Sequence, residues 1–400
     1  MPTIKEISGE IIHDSRGEET IQVTVVVDGG KMGTAAVPSG KSKGTFEAKA
    51  IDPRQALKNI KDEIEPLLKG KDVYDQEALD EEMIKLDGTD DKSRLGANAI
   101  LGVSLAMSRV AAVEKNIPLY RYIGLLNDRQ GFSLPIPMMN LINGGLHAKN
   151  NLDIQEFMVV PDRLPGFRDQ LTAGKLVFAA LGRLLKDGVT SLPIGDEGGY
   201  APNFDSNEAA LDALLKAIKD TGYSPWHEVS IALDLAATDL PDTFEITPKR
   251  YLSLFSDYPI LSMEDPFAED DWKQWSDFRT TLEKWNTSNK KLLLIGDDLF
   301  VTNYKRLEKG IETKAANAIL LKLNQVGTLT ETLRVADLAR SAGYFLVVSH
   351  RSGETLDDYI ADLAVGIGAQ FIKSGAPNES HPERMKKYQR LLTIEQELHA

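Results

Sequence analysis

Six short apolar runs, each ending on a residue able to do chemistry, constrain this chain more than any other feature. They are IALD (231–234), PILSME (259–264), LLLIGD (292–297), NAILLK (317–322), FLVVSH (345–350) and QFIK (370–373). Near-continuous apolar runs are the pattern of parallel strands buried on both faces. The run ends are separated by 30, 33, 25, 28 and 23 residues, about one strand-plus-helix unit each. Six such units in series predict an α/β fold of the TIM-barrel type. An open doubly wound sheet is the alternative, but no Gly-rich fingerprint follows an early strand, as a dinucleotide site would require.

The chemistry sits at the run ends: Asp234, Glu264, Asp297, Lys322, His350 with Arg351, and Lys373. One such charge is as readily the first solvated residue after a buried strand as a functional one. In a TIM barrel, however, the C-terminal strand ends face the active site, so six in series are expected to converge. Three converging carboxylates repel one another unless a cation lies between them. Oxygen ligands without Cys or an obvious His pair favour a hard ion, and Mg²⁺ is the usual choice beside a phosphorylated substrate. A rim lysine whose pKa is lowered by burial and a nearby dication can act as a base. The set suits abstraction of a proton from a carbon next to a carboxylate.

Composition narrows the partners. The net charge of −14 over 400 residues argues against nucleic acid and anionic membrane surfaces. With no cysteine, disulfides and thiolate metal sites are excluded. The N-terminus lacks a signal-peptide pattern, and a cytoplasmic location is the expectation. The most apolar stretch, Ala97 to Val113, is interrupted by Asn98, Ser104, Ser108 and Arg109 and reads as a buried helix, too short and too polar to span a bilayer.

Residues 1–126 read as a smaller α+β domain and 133–400 as the barrel. Thr20 to Val27 favours a strand, followed by a turn at Asp28-Gly29-Gly30. Helical patterns cover 53–69, 75–86 and 94–115, the first with Asp52 as N-cap before Pro53. Leu126 to Pro137 reads as a linker. Gly40-Lys41-Ser42 mimics the end of a phosphate-binding P-loop, but Ala35 stands where glycine is needed and Pro38 interrupts the loop. Glu269-Asp270-Asp271 reads as a solvated helix start, and Asp298 is expected to point away from the axis if Asp297 points in.

From end to end the chain resembles the enolase family. The segments that carry the resemblance include HDSRG (13–17), VPSG (37–40), DGTDDKSRLGANAILGVSLA (87–106), LPIPMMNLINGGLHAKNN (134–151), QEFM (155–158) and GDEGGYAPN (195–203). It continues through ALDLAA (232–237), PILSMEDPFAEDDW (259–272), GDDLFVTN (296–303), LLKLNQVGTLTET (320–332), SHRSGETLDDYIADLAVG (349–366) and IKSGAP (372–377). The resemblance implies a C-terminal (β/α)8 barrel of enolase type, a homodimer, and reversible dehydration of 2-phosphoglycerate to phosphoenolpyruvate in glycolysis and gluconeogenesis. It implies two Mg²⁺ per site, with Asp234, Glu264 and Asp297 as ligands and Ser39 joining the second when its loop closes. By the same resemblance Lys322 is the base at C2, and Glu197 the acid at the C3 hydroxyl, helped by Glu156. Lys373 holds the substrate carboxylate, Arg351 and Ser352 grip the phosphate, and His147, His350 and Gln155 line the pocket. Two Mg²⁺ with Lys373 and Arg351 balance three ligand carboxylates and a trianionic substrate, so an acidic chain tolerates this ligand.

The chain departs from the family pattern in places. The loop after VPSG gains Lys41 and Lys43, and Glu18-Glu19 replaces Asn-Pro. Gln22 and Thr393 stand where the family pairs a glutamate with an arginine across its dimer interface. An acid-sugar dehydratase of the wider superfamily is a second reading, and a paralogue kept as a binding protein a third. Arg351-Ser352, Ser39 and Glu197 weigh against the second, and an intact catalytic set against the third.

Overall fold

Alternating β-branched residues build the first sheet. In the computed structural model, which describes residues 1–40, 46–186, 191–240, 244, 247–286 and 292–399, strands β1 (Ile4–His13), β2 (Glu19–Val27) and β3 (Met32–Ala36) form an antiparallel sheet in that order. Lys41, Ser42 and Lys43, with the P-loop look-alike they complete, lie outside the described residues. Ile21, Val23, Val25 and Val27 are buried on one face of β2, and the sheet packs against the helix Ala97–Lys115. The approach is close because of glycine: a Cβ at Gly33 would lie 2.4 Å from the Ala106 carbonyl oxygen and the Val110 nitrogen. That helix is, by length and composition, apolar enough to cross a membrane, which corrects the reading that no stretch is. Its apolar surface is nevertheless satisfied inside the protein, with 83% of its most apolar window buried.

Asp52 caps the helix Pro53–Asn59 by accepting from the backbone N–H groups of Arg54 and Gln55, both at 3.0 Å, as its position before proline predicts. The helix runs on through a wider turn, Ile60–Ile64, to Leu68. The helices Gln76–Asp87 and Ala97–Lys115 follow, and the first docks onto the barrel through Asp80, which accepts from the Thr330 hydroxyl at 2.7 Å.

The second layer is a closed eight-stranded barrel of β4 (Ile136–Asn143), β5 (Glu156–Val160), β6 (Ser230–Asp234), β7 (Ile260–Glu264), β8 (Leu293–Gly296), β9 (Ala318–Leu321), β10 (Phe345–Ser349) and β11 (Phe371–Lys373). Each of the six apolar runs becomes one strand, β6 to β11. Two features differ from a uniform parallel series. β5 runs antiparallel to both neighbours, since a short connection without a crossover helix joins it to β4. Ile136 and Pro137, read as the end of a linker, instead belong to β4 and pair with Phe371 and Ile372. Met138, Met158, Ala232, Ile295, Leu320 and Val347 form a separate buried cluster that fills the barrel, while the alternate strand residues face the helices, as the two-residue period requires.

Candidate active site

Strand register brings the carboxylates together. Glu156, Asp234 and Glu264 are direct neighbours across β5, β6 and β7, so their side chains leave the same face of the sheet. All three are buried, and Lys373 from the end of β11 lies among them. Its Nζ is 2.8 Å from Glu264 Oε2, 2.9 Å from Glu156 Oε2 and 3.3 Å from Asp234 Oδ2. Burial alone would lower the Lys373 pKa; Glu156, Glu264 and Asp234 outweigh it and hold the ammonium charged, well above its ordinary value.

Asp297 follows β8 in the turn rather than the strand. Its carboxylate contacts Lys322 Nζ and accepts from Gln325 Nε2 at 2.9 Å. Thr302 fixes this corner, donating to Gln325 Oε1 at 2.7 Å and accepting from the Lys322 backbone at 2.9 Å. Burial lowers the Lys322 pKa, but Asp297 more than offsets it, so Lys322 is held above its ordinary value. Here an opposite charge in contact outweighs desolvation. Asp298 also lines the cleft. It was expected to point away, but both aspartates lie beyond the last strand residue, where alternation no longer applies. Asp265 gathers the two by accepting from their backbone N–H groups at 3.1 and 2.7 Å.

The facing wall carries His147, Gln155, Glu156, Glu197 and His350. Glu197 is placed by the turn of GDEGGY: Gly198 has φ of 84°, open to glycine at little cost. Gly199 donates to Asn143 Oδ1, which a Cβ there would approach to 2.6 Å. Asn140 donates to Glu197 Oε2 at 3.0 Å, and His350 Nε2 is 3.3 Å from Glu197 Oε1. His147 Nδ1 lies 3.5 Å from Glu156 and 3.6 Å from Glu197. Arg384 Nη1 sits 2.6 Å from His350 Nδ1. A guanidinium can only donate, so this Nδ1 is the acceptor and Nε2 carries the hydrogen toward Glu197. Burial brings the His350 pKa down to about 4, keeping the ring neutral.

The two glutamates titrate apart. Burial, then the Glu197 charge, pushes Glu156 up to about 7. Burial also acts to raise Glu197, but His350, His147 and Arg384 prevail and hold it well below the ordinary carboxylate range. Of the pair, Glu156 is the more readily protonated in this arrangement, whereas the resemblance gives the acid role to Glu197.

Ser39 is not brought to this cleft. Its hydroxyl donates to Asp14 at 2.5 Å and accepts from Arg16 at 2.8 Å, and its backbone pairs with Gly353. It lines a neighbouring outer cavity of about 530 Å³. Arg351 lines both spaces, and Ser352 lines the cleft. Arg384, Asp265, Gln325 and Glu47, which contacts Arg351, were not found from sequence. None ends an apolar run, and only the fold carries them here.

Among the described residues, two groups bring three ligand atoms within 4.8 Å of one another: His147 with Glu156 and Glu197, and Asp265 with Asp297 and Asp298. Asp234 and Glu264 are instead spaced around the Lys373 ammonium. That a buried cationic nitrogen is held there by carboxylate oxygens alone shows a donor set suited to a hard dication.

A closed barrel carrying carboxylates and lysines across one end of its strands, preceded by a smaller α+β layer, is the architecture of this chain. Residues 4–123 match the family described as enolase, N-terminal domain, and 131–245 and 243–400 match enolase, C-terminal TIM barrel domain. The chain belongs to the enolase family and is a lyase-type enzyme acting on a small molecule. The family is metal-dependent, and the acidic groups above could bind a metal.

Proposed function

We propose that this chain catalyses reversible dehydration of 2-phosphoglycerate to phosphoenolpyruvate, the glycolytic reaction, with Mg²⁺ as the metal and the cytoplasm as its location. The observation that carries the reading is that one cleft is lined by Lys322 and Lys373 together with Glu156 and Glu197, and by Arg351 and Ser352 as well. Asp234, Glu264 and Asp297 are the residues that would hold the metal. A divalent ion held there would supply the positive charge that offsets the charge developing on the substrate carboxylate.

Lys373 binds that carboxylate. Lys322 as the free amine takes the proton from C2. The Glu156–Glu197 pair, with His147 against both, delivers a proton to the C3 hydroxyl, which leaves as water. His350 is kept neutral by burial and oriented by Arg384, so its Nε2–H faces Glu197. Arg351 and Ser352 receive the phosphate, and Ser39 reaches the site only by leaving Asp14. The phosphate-receiving pair disfavours the acid-sugar dehydratase reading. Solvent-deuterium exchange at C2, followed by NMR, tests the roles. Lys322→Ala is expected to abolish exchange, whereas Glu197→Gln slows elimination yet retains exchange. Equal exchange in both variants would contradict the assignment.

A further inference from the structure

The Arg351 guanidinium is already engaged by a carboxylate of its own chain. Glu47 Oε2 lies 3.1 Å from Nη1 and 3.2 Å from Nη2, and Glu47 Oε1 lies 3.2 Å from Nη2. Its carboxylate thus straddles the outer edge of the guanidinium, the geometry in which Arg binds an anion most strongly. Both side chains are at least nine-tenths buried, with exposures of 5% and 8%. Asn324 Oδ1 accepts from Nη1 at 3.0 Å. Gly40 closes the adjacent side: a Cβ there would lie 1.8 Å from Arg351 Nη2 and 2.9 Å from Nε. The inner cleft lies beside it, and Arg351 is part of its lining.

Glu47 is held from both sides. The Arg306 guanidinium lies 4.2 Å from the centre of the Phe46 ring and 5.1 Å from that of Trp272. The Ala48 N–H donates to the Gln325 carbonyl at 2.8 Å, and Gln325 Nε2 donates to Glu47 Oε1 at 3.3 Å. The carboxylate is therefore presented to Arg351 by a fixed stretch of backbone.

We propose that Glu47 is a specificity-determining residue: an internal carboxylate that competes for Arg351, so that a dianionic phosphate displaces it and a singly charged carboxylate does not. This rests on the reading of Arg351 as the phosphate-binding residue. A buried carboxylate on the guanidinium sets a threshold of charge that an incoming anion must exceed. Phosphate, with more charge and more acceptor oxygens, exceeds it; acetate offers only what Glu47 already supplies.

The test is titration calorimetry with inorganic phosphate and with acetate on the full chain, for wild type, Glu47→Gln, Glu47→Asp and Arg351→Gln. Removing the competing charge in Glu47→Gln is expected to tighten phosphate binding on the order of tenfold and to bring acetate into the measurable range. Glu47→Asp, one methylene shorter, is expected to fall between Glu47→Gln and wild type, and serves if the amide variant does not fold. Weaker or unchanged phosphate binding in folded Glu47→Gln or Glu47→Asp would overturn the proposal and make Glu47 a residue that merely orients Arg351. If Arg351→Gln binds phosphate as well as wild type does, the phosphate-site reading itself fails, a different result from failure of Glu47 alone.

Discussion

Asp80 is fully buried where the helix Gln76–Asp87 meets the barrel. Burial raises its pKa from 3.8 to about 6, and hydrogen bonds from Thr330, Ser104 and Gln76 offset this only in part. A carboxyl with a raised folded-state pKa binds more protons folded than unfolded between the two values, so stability falls as pH rises through that window. Asp80→Asn stays neutral and lacks this slope. Between pH 4 and pH 7 the stability of Asp80→Asn relative to wild type is expected to rise by about 2–3 kcal/mol, read from denaturant midpoints. A difference independent of pH would contradict the account. At this scale Asp234, Glu264, Lys322 and Lys373 were legible in sequence because each closes or directly follows an apolar run. Asp265, Glu47 and Arg384 were not, because each reaches the site through a turn, a loop or a distant helix. The protonation states of Lys322 and Glu156 depend on neighbours that sequence spacing does not reveal.

Between elements, the tightest constraint is the contact of β3 with the helix Ala97–Lys115. Gly33→Ala would press a methyl group into helix backbone 2.4 Å away, where no side chain can move aside. Such overpacking is expected to cost about 1–3 kcal/mol, seen as a lower denaturant midpoint, with C2 exchange per folded molecule unchanged. A stability equal to wild type would contradict the close approach. Strands β6 to β11 were legible because burial on both sides writes an unbroken apolar run. β1 was not, since IKEISGEIIH leaves most of its residues exposed or half-buried. β4 begins inside a proline-containing stretch that resembles a linker, and the five residues of β5 carry no crossover helix to set the spacing. The helix Ala97–Lys115 shows the complementary ambiguity: apolar all round, it is a core element by its place between the sheet and its neighbours.

For the whole molecule, we propose a homodimer despite the lost interface pair. Gln22 donates within its own chain to Glu10 at 2.8 Å, and Thr393 is exposed, so the replacements leave no buried lone charge. Light scattering after size exclusion is expected to give twice the chain mass of 44.1 kDa; monomer alone would contradict this. The barrel and its acidic end were legible from the six-run ladder by itself, and a metal-assisted proton abstraction followed from it. The specific substrate came from resemblance, because phosphate recognition is spread over Arg351, Ser352 and the loop near Ser39. The most direct measurement follows phosphoenolpyruvate formation from 2-phosphoglycerate by ultraviolet absorbance, with Mg²⁺ and again with a chelator. The account predicts turnover with Mg²⁺ that the chelator abolishes; no turnover with Mg²⁺ would contradict it.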